Sequence, residues 1–200
     1  MPVWEIIGPV MTGPSSSHTA GAAHIGRIVR MCWGGEVKRA DLYMRGSFAS
    51  TGAGHGTDKA LIAGLMGMTQ DDPEIRNALA LARAAGMDFH FYTEEVAGAH
   101  PNSVRVVVGD GEGRTMEAVG YSIGGGAVIA EAALILRGGI VEIEMQNRIV
   151  DGGRGGIERA VLRGVHPGDC GRVGVQESGV NHKIRRAENR ASVRPADILQ

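Results

Sequence analysis

The chain has 200 residues, 43% of them hydrophobic and only 4% aromatic, with 32 glycines and a net charge of −1. That length suits one moderately large domain with an appendage and enough apolar residues for a core. The near-zero charge argues against a generic nucleic-acid binder, no window approaches the ~18 apolar residues of a membrane span, and the opening MPVWEIIGPV lacks the pattern of a secretory signal.

The two cysteines, Cys32 and Cys170, lie far apart and form no metal-ligand pair such as CxxC, so a reduced, cytoplasmic protein is expected. The first element follows GPSSSHTAGAAHIG (13–26). Apolar residues at Ala22, Ile25, Ile28, Val29 and Cys32 recur at helical spacing, and the serines before them are natural N-caps. EVKRADLYMRGSFA (36–49) alternates apolar and polar residues and reads as a strand. TGAGHGTDKALIAGLMG (51–67) reads as a Gly-rich loop feeding a helix capped by Thr57 or Asp58, with Leu61, Ile62, Leu65 and Met66 on its buried face.

DDPEIRNALALARAAG (71–86) is a marked helix, with Asp72 before it, Pro73 at its first position and Gly86 after it. MDFHFYT (87–93) predicts a strand, and SVRVVVGDGEGRTMEAVGYSI (103–123) a hairpin folded about GDGEG. Helices and strands alternate without a strict βαβ repeat, so the expected class is α+β with a mixed sheet flanked by helices. Beyond residue 127, AVIAEAALILRGGIVEIEM is compatible with a helix and a strand. The stretch after Asp151 is rich in Gly and Arg and poor in apolar periodicity, and reads as a weakly folded tail.

Two stretches carry residues suited to chemistry. A helix start offers unpaired N–H groups and the positive end of a dipole, which favour a carboxylate or phosphate. Ser15, Ser16 and Ser17 would add hydroxyl donors, and His18 a group that moves protons near neutral pH. The alternative is a Ser-capped helix with an incidental histidine. In GSFASTGAGHGTD (46–58), Gly54 and Gly56 flank His55 and Asp58 follows, so the imidazole is expected to project from a loop, with Asp58 fixing its tautomer or capping the next helix. In AHPNS (99–103), Asn102 either brackets a polar ligand or closes an Asx turn.

MTGPSSSHTAGAAHIGRI, GSFASTGAGHGTDKALIAGLMG, AHPNSVRV and YSIGGG, taken in this order and spacing over roughly residues 5 to 127, resemble the β subunit of bacterial iron–sulfur L-serine dehydratase. The pairing of GPSSSHT with GHGTD is the specific part of that resemblance. It implies deamination of L-serine to pyruvate and ammonia without pyridoxal phosphate. It also implies a [4Fe–4S] cluster whose cysteines belong to a separate α subunit, an open iron acting as Lewis acid on the serine hydroxyl. The resemblance further implies that Ser15, Ser16 and Ser17 hold the substrate carboxylate and that His18 and His55 line the reaction centre. Thr57 and Asn102 are then expected to contact substrate, with Asp58, Gly54 and Gly56 in support.

On this reading, residues 1–127 form the serine dehydratase β-chain domain, and no metal ligand, nucleic acid or membrane is expected for the chain itself. Family members continue into an ACT-type regulatory domain with a DxPGV-like turn. Residues 128–200 carry neither, and are expected to be a divergent tail or the product of a shifted frame. The rival readings are a non-catalytic anion- or substrate-sensing domain and a truncated, inactive product.

Overall fold

The computed structural model describes residues 10–136, 139–149, 155–166 and 169–175, with side chains through residue 130. Eight strands form one sheet: β1 (Arg39–Arg45), β2 (Asp88–Thr93), β3 (Asn102–Gly109), β4 (Thr115–Gly124), β5 (Ala127–Leu136), β6 (Gly139–Ile149), β7 (Gly155–His166) and β8 (Asp169–Val175), in the order β2-β1-β3-β4-β5-β6-β7-β8. β1 and β2 are parallel and every other pair is antiparallel, so the sheet is mixed and the fold is α+β.

Alternation along the strands sets the faces. Ala40, Leu42 and Met44 of β1, Val104, Val106 and Val108 of β3, Met116 and Ala118 of β4, and Val128 and Ala130 of β5 are buried together. Residues two apart share one face of a strand, so these form the floor on which the helices pack. Those helices are α1 (Gly21–Trp33), α2 (Gly46–His55), α3 (Thr57–Leu65) and α4 (Ala78–Ala84). Helix α1 packs across β4 and β5 and alongside α3. It presses on α3 where Gly26 meets Gly64: a Cβ on Gly64 would lie 2.6 Å from the Arg27 nitrogen. Only hydrogen side chains permit that approach of two backbones.

Several elements fall where the sequence puts them. Asp72 accepts from the Glu74 N–H at 2.8 Å, with Pro73 beginning a 3-10 turn (Pro73–Asn77) that leads into α4. The β3–β4 hairpin turns at GDGEG, where the Asp110 carboxylate accepts from the N–H groups of Glu112 and Arg114 at 2.7 and 3.2 Å.

Three expectations require correction. The predicted strand over 36–49 ends at Arg45, and the expected Gly-rich loop is helix α2. Glycine disfavours helix by about 1 kcal/mol per residue, but Phe48 is fully buried and contributes roughly 1.5–3 kcal/mol. Tertiary packing thus overrides local preference. Neither Thr57 nor Asp58 caps the following helix. Gly56 occupies that position at φ +69°, a left-handed conformation that ends α2 and starts α3 in a single residue. Finally, the apolar run from 127, compatible with a helix, is strand β5, paired with β4 across the Gly124–Ala127 turn. Of the stretch read above as a tail, Gly155–His166 and Asp169–Val175 are strands β7 and β8, and residues 176–200 lie outside the described residues.

Candidate active site

The serine run opens the helix that leads into the core. Ser15 is the N-cap: its backbone is extended and its Oγ accepts from the His18 N–H at 3.1 Å. Ser16–Ala20 then form a π-helical turn that continues directly into α1. The Thr19 and Ala20 amides both reach back to the Ser15 carbonyl, at 2.9 and 3.2 Å. Widened turns of this kind are frequent at functional sites, because they turn side chains away from the regular helical direction.

Here the widened turn carries His18 onto α2. The His18 Nε2 lies 2.9 Å from Ser47 Oγ and 3.2 Å from Thr51 Oγ1, and its Nδ1 lies 3.0 Å from Ser17 Oγ. The ring packs on Phe48 at 5.4 Å and against His55 at 4.9 Å between centroids. Residues 47, 51 and 55 are four apart and therefore share one face of α2.

His55, the last residue of α2, donates from Nδ1 to the Thr51 carbonyl oxygen at 3.0 Å, which leaves Nε2 with the lone pair in the neutral ring. Its own carbonyl accepts from the Thr19 hydroxyl at 2.9 Å, so the serine turn and the end of α2 are bound to each other. Partial burial, and next the neighbouring His55, hold His18 below the usual imidazole range, with Ser47 acting weakly in the other direction. His18 is therefore neutral near pH 7, in a state that can accept a proton.

The structure thus brings Ser15, Ser16, Ser17, His18 and His55 into one half-buried cluster. The other predicted site residues sit around it. Asn102 pairs with Gly46 at the start of α2, where Pro101 also accepts from the Phe48 N–H. Gly54 and Gly56 close α2 beside His55. Asp58 stands in the first turn of α3, and one carboxylate oxygen is buried with no hydrogen-bond partner. Thr57 is fully buried beneath α2, with Oγ1 likewise without a hydrogen-bond partner.

Sequence reasoning missed Ser47 and Thr51. Their signal was the four-residue spacing to His55, which has meaning only once 46–55 is read as a helix. It also missed His100, whose Nδ1 accepts from the Asn102 N–H at 3.1 Å and whose ring stacks on Tyr121. His100, Arg45, Ser50 and Glu94 help line a pocket of about 720 Å3 at the start of α2. His18 and His55 are not in that lining, since Gly46, Ala49 and Ser50 belong to a neighbouring face of the helix.

The described residues do not fit an iron–sulfur cluster. Cys32 lies wholly within the core, where burial pushes its thiol up to about 12, far from a ligating thiolate. No group of three or more His, Cys, Asp or Glu side chains with metal-binding placement occurs among the described residues. Among the same residues, no helix is long and apolar enough to cross a membrane.

Residues 6–133 match the family model described as serine dehydratase beta chain. Over 126 residues the chain is 48% identical to a probable L-serine dehydratase, beta chain, of Bacillus subtilis, covering 63% of this chain and 57% of that protein. It is 41% identical over 126 residues to the L-serine dehydratase, beta chain, of Peptoniphilus asaccharolyticus, covering 62% of this chain and 57% of that one. An L-serine dehydratase of Escherichia coli is 32% identical over 144 residues, covering 60% of this chain and 31% of its own length. The chain spans 57% of the length of the first two relatives. With the family model matching well over half of its residues, the chain belongs to the serine dehydratase beta chain family.

Proposed function

We propose that the chain is the β subunit of an L-serine dehydratase, releasing pyruvate and ammonia from L-serine together with an α subunit. The observation that carries this reading is the convergence of two imidazoles, 4.9 Å apart, on a serine-rich helix start. An amino-acid dehydratase needs two things from such a site: a grip on the carboxylate and a base for the α-proton. The open start of the helix offers the amides of Ser16 and Ser17, which have no intrahelical partner, and the positive end of its dipole. These would hold the carboxylate and stabilise the charge that develops on it as the α-proton leaves.

His18 and His55 stand beside that position as proton acceptors. Loss of the α-proton and of the β-hydroxyl yields aminoacrylate, which tautomerises to an imine and is hydrolysed to pyruvate and ammonia. We assign the cluster implied by the family resemblance to the α subunit, because the thiol described here is a core group. The site residues are half-buried, consistent with a second chain covering them.

Anaerobic co-expression with a cognate α chain, followed by a pyruvate assay on L-serine, tests the reading. Turnover is expected from the pair and lost by about 10²- to 10⁴-fold in His55→Ala, the usual range for removal of a general acid–base group. An inactive pair, or near-normal turnover in His55→Ala, defeats it.

A further inference from the structure

The hydrogen bonds around His18 have a direction, and it is fixed at Thr51. The Thr51 hydroxyl donates its single proton to the Ser47 carbonyl oxygen, one helical turn back, at 2.9 Å. A carbonyl can only accept, so Thr51 Oγ1 has only lone pairs left for its two other neighbours: His18 Nε2 at 3.2 Å and Ser47 Oγ at 3.3 Å. Both neighbours therefore serve as donors toward Thr51.

We infer that Thr51 is a positioning residue that sets the tautomer of His18, keeping its ring proton on Nε2, with Ser47 Oγ as a further acceptor, and its lone pair on Nδ1, against the Ser17 hydroxyl. Every other contact agrees with this direction. His18 Nε2–H donates to Ser47 Oγ at 2.9 Å and shares Thr51 Oγ1, while the Ser47 hydroxyl donates to Thr51. On the opposite edge of the ring, the Ser17 hydroxyl donates to Nδ1 at 3.0 Å, and the Ser15 hydroxyl donates to Ser17 at 3.3 Å. Ser15 Oγ completes the chain by accepting from the His18 backbone N–H. The reverse tautomer would use the Ser47 proton on Nε2 and set the lone pairs of Thr51 against those of both Nε2 and Ser47. It would replace two attractions with two repulsions.

The direction separates the three serines. Ser15 and Ser17 spend their hydroxyl protons inside the chain and present only acceptor oxygens outward. Ser16, whose hydroxyl has no hydrogen bond among the described residues, is the one left with a proton to give a carboxylate. That last consequence rests on the proposed dehydratase reading. The tautomer itself does not.

The test is a long-range proton–nitrogen NMR correlation on the full chain labelled with 15N-histidine, which distinguishes the protonated from the unprotonated ring nitrogen. Wild type is expected to show His18 protonated at Nε2. Thr51→Val removes the acceptor, frees the Ser47 hydroxyl to donate to Nε2, and is expected to move the proton to Nδ1. Thr51→Ser, which keeps the hydroxyl, is expected to restore Nε2–H. Ser47→Ala keeps Thr51 as acceptor and is expected to retain Nε2–H even should Thr51→Val fail to fold. Protonation at Nδ1 in wild type or in Ser47→Ala overturns the inference, as does an unchanged tautomer in a folded Thr51→Val. Because the spectrum reads the ring and not turnover, an inactive reconstituted pair with the expected tautomer removes the dehydratase reading alone.

Discussion

Placing a methyl group on Gly64 tests the central packing contact behind the site. Helix α1, which begins at the serine turn, crosses α3 at Gly26 and Gly64. A Cβ on Gly64 would sit 2.6 Å from the Arg27 nitrogen, 2.9 Å from the Gly26 carbonyl carbon, and closer still to the Ala23 carbonyl oxygen. Nonbonded carbons settle at about 3.5–4.0 Å, so the two helices have to part by roughly 1 Å. All the obstructing atoms are backbone, and no rotamer change relieves them. Overpacking typically costs 1–3 kcal/mol, and this contact belongs at about 3 kcal/mol. Alanine's better helix propensity returns at most about 1 kcal/mol, for a net loss of about 2 kcal/mol in Gly64→Ala. With a urea slope of about 2 kcal/mol per molar, the unfolding midpoint falls by about 1 M. Gly54→Ala is the control: it lies inside α2, a Cβ there meets nothing within 4 Å, and the same propensity term acts alone to raise stability by up to about 1 kcal/mol. A Gly64→Ala protein that unfolds at or above the wild-type midpoint would refute the reasoning.

Further outcomes follow from the site. His18 is held below its ordinary value of 6.5, so the unfolded chain binds a proton there that the folded chain refuses. This part of the stability is fully present above pH 6.5 and is lost as the pH falls from there through the depressed folded value. Urea titrations across that window should show His18→Gln losing less stability than wild type as acid is added, and parallel pH curves for the two would count against a neutral His18. Thr57→Val removes a fully buried hydroxyl without a hydrogen-bond partner, and is expected to raise stability by about 1 kcal/mol in the same assay. A drop of that size instead would show that Thr57 Oγ1 is bonded in solution.

Local chemistry made much of the fold legible. The Asp72–Pro73 start needs only a side-chain acceptor and a fixed φ, and the GDGEG turn needs only Asp110 and its neighbours; both act within four residues. The serine run was likewise readable as a helix start, since Ser15 caps it through its own neighbour His18. The specific motifs also pointed to His18 and His55 together before any geometry was known. That residues 46–55 form a helix was not legible, because Gly52 and Gly54 argue locally against helix, and the burial of Phe48 that outweighs them is a long-range effect.

The amino-acid sequence by itself determined the helix starts at Ser15 and at Asp72, the hairpin and the family, because capping, turn formation and motif spacing depend on residues near one another in the chain. Only the tertiary structure decided that 46–55 is a helix with Ser47, Thr51 and His55 on one face. It alone placed that face against an imidazole 29 residues away from Ser47 in sequence. The direction of a hydrogen-bond chain depends on which donors and acceptors meet, and that is settled by packing rather than by the order of residues.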